Sequence, residues 1–94
     1  MFEITFTDPG TIGLSGRLDA NQVQKLREAL DRATGTVTID FTELQYISSA
    51  GLGVLLAAQK RLSAGGHTIR IVNMNNHIRD IFKIAGFDFI FDIV

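Results

Sequence analysis

The stretch from Thr36 to Leu62, TVTIDFTELQYISSAGLGVLLAAQKRL, changes its periodicity halfway along. In its first part Val37, Ile39 and Phe41 alternate with Thr36, Thr38 and Asp40, the period of two expected of a strand. From about Ser49 to Ala64 apolar residues return at helical spacing. Leu52, Leu55, Leu56 and Leu62 point inward, and Gly65-Gly66 stop the helix. The strand is expected to end near Phe41, with a short loop carrying the chain to the paired serines. A strand handed on to a helix is the repeating unit of an α/β fold.

The same pattern extends in both directions. Upstream, Phe2, Ile4 and Phe6 alternate with Glu3, Thr5 and Thr7, and Asp8-Pro9-Gly10 turns the chain into a second strand carrying Ile12 and Leu14 as far as Gly16. That short connection predicts a hairpin. A first helix is expected to start at Asp19 as N-cap, with Gln22 at capping-box spacing. Its inward stripe is Val23, Leu26, Leu30 and Ala33, and Gly35 ends it. Downstream, Thr68 to Val72 read as a strand, and Asn75 or Asn76 caps a third helix with stripe Ile78, Ile81, Phe82 and Ala85, terminated at Gly86. Phe87, Phe89 and Phe91 alternate with Asp88, Ile90 and Asp92 as a last short strand. The predicted fold class is therefore α/β: one mixed, mainly parallel sheet in the order β-β-α-β-α-β-α-β, with an N-terminal hairpin and helices packed on the sheet.

Composition narrows what such a domain can do. Ninety-four residues suit a single domain spanning 1–94, and 46% hydrophobic with 20% charged residues suits one folded core. A formal net charge of −1, with no basic run longer than Lys60-Arg61, lacks the footprint of a nucleic-acid binder. Cysteine is absent, which removes disulfides and thiolate metal sites. The opening MFEITF has neither a basic n-region nor a long apolar h-region, and no apolar run approaches the roughly 20 residues of a membrane span. The expected location is the cytoplasm, without membrane insertion.

Catalytic patterns are weak. His67 and His77 are the only histidines, and neither has a second ligand at metal-binding spacing, so no metal site is expected. Ser49, a histidine and Asp19 could supply triad residue types, but no Gly-x-Ser-x-Gly elbow surrounds the serine. Gly51-Leu52-Gly53 begins a dinucleotide fingerprint, yet Leu56 stands at the third glycine, and there is no Walker lysine motif. Neither an enzyme nor a cofactor is expected.

Tyr46-Ile47-Ser48-Ser49-Ala50-Gly51-Leu52-Gly53-Val54 carries more information. One serine suits a helix N-cap. Ala50, Gly51 and Gly53 leave backbone open to close approach, although each helical glycine costs about 0.5–1 kcal/mol relative to alanine. A hydroxyl there is suited to phosphoryl acceptance. The product carries about −1.5 to −2 charges, which the helix dipole and free N–H groups favour.

Together with Gly16-Arg17-Leu18-Asp19-Ala20, the strand at Val37-Thr38-Ile39-Asp40-Phe41 and the stretch Ile81 to Phe91, these residues make the chain resemble the STAS domain, and within it the bacterial anti-sigma factor antagonists. The resemblance covers essentially the whole chain. It implies a partner-switching protein that binds an anti-sigma factor serine kinase, is phosphorylated by it on a serine at the start of the second helix, and is reset by a phosphatase. Family members commonly read Asp-Ser-Ser/Thr/Ala-Gly-Leu here. The resemblance therefore implies Ser49 as acceptor, with Ser48 as second choice standing where the aspartate would be, and Asp19 as the nearby loop aspartate. The implied partner-binding residues are Asp19, Ser48, Ser49, Ala50, Gly51, Leu52 and Gly53. The alternative is an unphosphorylated STAS interaction module, a scaffold or small subunit of a signalling or transport complex, whose serines serve only as caps.

Overall fold

The computed structural model describes residues 1–94. Its elements are β1 (Phe2–Asp8), β2 (Thr11–Leu18), α1 (Val23–Asp31), β3 (Val37–Ile47), α2 (Ser49–Ala64), β4 (Ile69–Val72), α3 (Asn76–Ala85), a 3-10 turn at Phe87–Phe89, and β5 (Asp92–Ile93). The five strands form one sheet in the order β1-β2-β3-β4-β5. β1 and β2 pair antiparallel as the hairpin, and the remaining neighbours are parallel.

Because each helix links two adjacent parallel strands, right-handed crossovers put all three on the same side. The strand alternation agrees. Phe2, Ile12, Leu14, Ile39, Ile69 and Ile71 are buried in the core, whereas Thr5, Thr38, Arg70 and Asp92 lie on a polar face that is partly or fully exposed. A single core of 22 apolar residues fills the space between sheet and helices. Burying each of its Leu, Ile or Phe side chains contributes about 1.5–3 kcal/mol.

Four expectations are corrected. β3 does not stop near Phe41 but runs to Ile47, and no loop intervenes. Its register with β2 shifts twice, between Gly13 and Ser15 and between Gly16 and Arg17. Each bulge inserts a residue, so the buried positions become Phe41, Leu44 and Ile47, three apart, and period two is lost. α1 begins at Val23 rather than at Asp19, its cap residue Gln22 makes no side-chain cap bond, and the helix ends at Asp31 well before Gly35. The Leu30 carbonyl accepts from the Ala33 amide at 3.0 Å, and the Arg61 guanidinium adds bonds to the Leu30 and Ala33 carbonyls at 2.7 and 3.1 Å, tying the end of α1 to α2. The last strand is only Asp92–Ile93. Phe87–Phe89 turn as a 3-10 helix, so Phe91 is buried while Phe89 is 93% exposed. Finally, Ala85, placed on the inward stripe of α3, is exposed.

α3 ends as expected at Gly86, whose φ of 75° is the left-handed conformation that glycine adopts without a Cβ penalty. Phe82 then packs on Phe41, Phe87 and Phe91 with ring centroids 5.8–6.1 Å apart. Gln59, the only buried polar residue, sits midway along α2. Its Nε2 donates to Thr68 Oγ1 and the Ile90 carbonyl, both at 3.1 Å, and its Oε1 accepts from the Ile69 amide at 2.7 Å.

Candidate functional site

The parallel strands β2, β3 and β4 all point their carboxyl ends at one edge of the molecule, where open α/β sheets concentrate their ligand-facing loops. β3 arrives there at Ile47 and turns immediately into α2. Ser48 is the N-cap, with extended φ and ψ of −84° and 166°, and its Oγ accepts from the Gly51 amide at 3.2 Å. Its own amide donates to the Leu18 carbonyl at 2.9 Å, and its carbonyl accepts from Leu52 at 3.0 Å. Ser48 is thus half-buried, with its amide, its carbonyl and its Oγ as acceptor all engaged.

Ser49 is the first residue of α2 and is exposed, as are Ala50 and Gly53. The amides of Ser49 and Ala50 have no intrahelical acceptor by construction. A spare hydroxyl therefore stands at the positive end of a 16-residue helix, a position that favours an added anion.

Gly51 and Leu52 do not belong to that exposed surface. Both are buried, and a Cβ on Gly51 would meet Leu18 Cδ2 at 2.9 Å and Ile47 Cγ1 at 3.0 Å. The glycine lets α2 pack against the ends of β2 and β3, so the access argument fails at this position. It holds at Gly53, where an added Cβ meets nothing within 4 Å.

Asp19 follows directly on Leu18, whose carbonyl holds Ser48, so the two loops meet at that bond. Its Oδ1 accepts from the Asn21 amide at 3.0 Å and its carbonyl from the Gln22 amide at 3.0 Å. This is an Asx turn leading to α1, not the helix cap expected of it.

One contact beside the site joins two of the quoted motifs and is not readable from either alone. Arg17 and Tyr46 are register partners on β2 and β3, and the guanidinium lies 4.4 Å from the ring centroid. The pairing depends on the second bulge, which spacing alone does not reveal. On the same sheet, Asp40 is held below its ordinary carboxyl value of 3.8. The Thr42 hydroxyl does most of this, burial works against it, and the Thr42 amide and Asn73 side chain add to it.

No group of three or more His, Asp or Glu side chains is placed to hold a metal. His67 and His77 are exposed, and neither hydrogen-bonds to Ser48, Ser49 or Asp19. No helix is long and apolar enough to cross a membrane. The largest concavity, about 450 Å³, lies at the other end of the strands, between the hairpin turn at Asp8–Gly10 and the end of α1.

Comparison with known proteins agrees with this architecture. The family model described as "Mlab, STAS domain" matches residues 5–92. The anti-sigma-B factor antagonist of Listeria monocytogenes is 31% identical over 93% of this chain and 80% of its own. A Pseudomonas aeruginosa protein named as STAS-domain containing is 29% identical over 88% and 85% respectively. The anti-sigma factor antagonist SpoIIAA in its unphosphorylated form superposes with a TM-score of 0.77 over 100% of this chain and 88% of that one, at 22% identity, a likeness of fold. The chain belongs to the STAS-domain family.

Proposed function

We propose that this STAS-family chain, as a single domain spanning 1–94, is a cytoplasmic anti-sigma factor antagonist that works by binding rather than by catalysis. Its partner is an anti-sigma factor that is also a serine kinase. The docking surface is formed by Asp19, Ser49, Ala50 and Gly53, with Ser48 as its structural anchor. In the unmodified state the small side chains let the partner approach the helix terminus closely.

The kinase transfers the γ-phosphoryl group of ATP to Ser49 Oγ, the hydroxyl proton leaves, and ADP departs. The dianion then sits in the middle of the interface beside Asp19. Its desolvation and repulsion cost several kcal/mol, and each 1.4 kcal/mol is tenfold in affinity. A phosphatase returns the chain to its binding state.

The observation that carries this reading is the division of labour between adjacent serines. Ser48 is consumed as the cap, and Ser49 is exposed and free. The names borne by the relatives support the antagonist role. The test is to incubate the chain with ATP and the kinase that co-purifies with it, and to follow intact mass. One phosphoryl group is expected on the wild type and none on Ser49→Ala, while Ser49→Ala keeps partner binding and Ser49→Asp loses it. Labelling that survives Ser49→Ala moves the acceptor to Ser48 or elsewhere. A chain from its native host that never gains a phosphoryl group is an interaction module whose serines only cap.

A further inference from the structure

The docking surface just described ends, on the open face of the sheet, at the Arg17–Tyr46 pair. Arg17 precedes Leu18, whose carbonyl anchors Ser48, and Tyr46 is two residues before Ser48 in β3. The guanidinium lies over the Tyr46 ring at 4.4 Å, so one of its faces is covered and its long side chain is held in place. Its N–H edge is not used by the chain. Arg61 donates to two carbonyls, Arg27 to Gln24 and Arg70 to Asp92, which is the sole ion pair. The Arg17 amide donates to the Met1 carbonyl at 3.2 Å, but its guanidinium, like those of Arg32 and Arg79, donates to no side chain or carbonyl, and of these three only that of Arg17 is stacked on a ring. An exposed arginine that is immobilised and yet keeps its donors free presents a preformed fork for a carboxylate.

The neighbourhood adds direction. Arg17 and Asp19 carry opposite charges on either side of Leu18, so the end of β2 that holds Ser48 presents both signs. A partner that docks here must place an acid over Arg17 and avoid placing one over Asp19. Such a pattern fixes orientation and rejects partners with the reverse arrangement. Tyr and Arg are also the residue types that most often dominate binding energy at interfaces.

We propose that Arg17, laid on Tyr46, is a specificity-determining contact of the docking surface and binds a carboxylate on the anti-sigma factor kinase. The inference rests on the docking reading of Ser49. It also gives the phosphoryl switch a second target, because a dianion at Ser49 repels the same carboxylate that Arg17 attracts.

The experiment measures dissociation constants of the full chain for the kinase recovered with it from its own cells, at low and high salt. Thermal melts of every variant serve as a folding check. Arg17→Glu is expected to weaken binding by about tenfold or more, with the loss shrinking at high salt, and Arg17→Lys by less. Tyr46→Phe keeps the platform and binds like wild type, whereas Tyr46→Ala releases the guanidinium and weakens binding severalfold. Tyr46 is the only tyrosine in a chain without tryptophan, so its emission in the free protein reports loss of stacking in Arg17→Ala directly. If Arg17→Glu binds as wild type while Ser49→Asp does not, the Arg17 inference is overturned and the switch stands. If Ser49→Asp binds as tightly as wild type, the switch itself falls and the inference with it.

Discussion

Two helices begin side by side at the same edge of the sheet, and their first residues are used differently. α3 is capped by Asn75, whose Oδ1 accepts from the Ile78 amide at 2.8 Å while its Nδ2 donates to the Leu44 carbonyl at 3.1 Å. Just before it, Asn73 reaches back to Asp40 at 3.1 Å. Both polar arms of the α3 cap are therefore committed to the fold. α2 is capped by Ser48 alone, and the next hydroxyl is left over. The contrast teaches that a short polar residue at a helix start is structural when all its hydrogen-bonding capacity is spent inside the chain. It becomes available for function when a neighbour has taken over the capping.

The largest expected effect tests the structural cap. Asn75→Ala removes the α3 cap and the bond to Leu44, and should cost about 2–3 kcal/mol in urea unfolding. Next comes Gly51→Ala, expected to cost about 1–2 kcal/mol, because the methyl group collides with packed Leu18 and Ile47 side chains rather than entering solvent. If that variant is as stable as wild type but binds its partner poorly, Gly51 belongs to the docking surface after all. Ser48→Ala should cost about 1 kcal/mol, the ordinary worth of one N-cap.

Ser49→Ala should change stability by less than about 0.5 kcal/mol, while abolishing phosphoryl uptake. A larger loss would erase the distinction between the two caps. The smallest effect concerns Asp40, which tethers the approach to the Asn75 cap. A carboxyl with a lowered pKa contributes stability that is fully present above the ordinary value and is lost as pH falls through the lowered one. Wild type should therefore lose stability below about pH 4 with a contribution from this group, and Asp40→Asn should flatten that part of the acid unfolding curve.

How much of this was legible in the sequence differs from element to element for physical reasons. α2 was read correctly as Ser49 to Ala64 because its apolar spacing, serines and terminal Gly65-Gly66 all agree. The α3 cap and the stop at Gly86 were equally readable, since each depends on neighbours within one turn. The end of β3 was not, because its extension depends on two bulges set by pairing with β2, a contact between distant parts of the chain. Asp19 looked like a cap because an Asx turn and an N-cap use the same side chain in the same way over three residues. Gly51 was misjudged for a related reason: a glycine that admits a partner and one that admits its own β-strands are identical in sequence. The serine motif was visible at once. Which serine is spent became clear only from the bond to Gly51.

The side chain of Gln59 ties the middle of α2 to the start of β4 and to the segment before Phe91. Those three elements cannot open one at a time without stranding a buried amide. Hydrogen exchange should register this as a single cooperative unit, with the Ile69 amide among the slowest in the chain, released only when the whole molecule unfolds. The pole remote from Ser49 would then act as a rigid keel, against which events at the other end leave no trace in exchange rates.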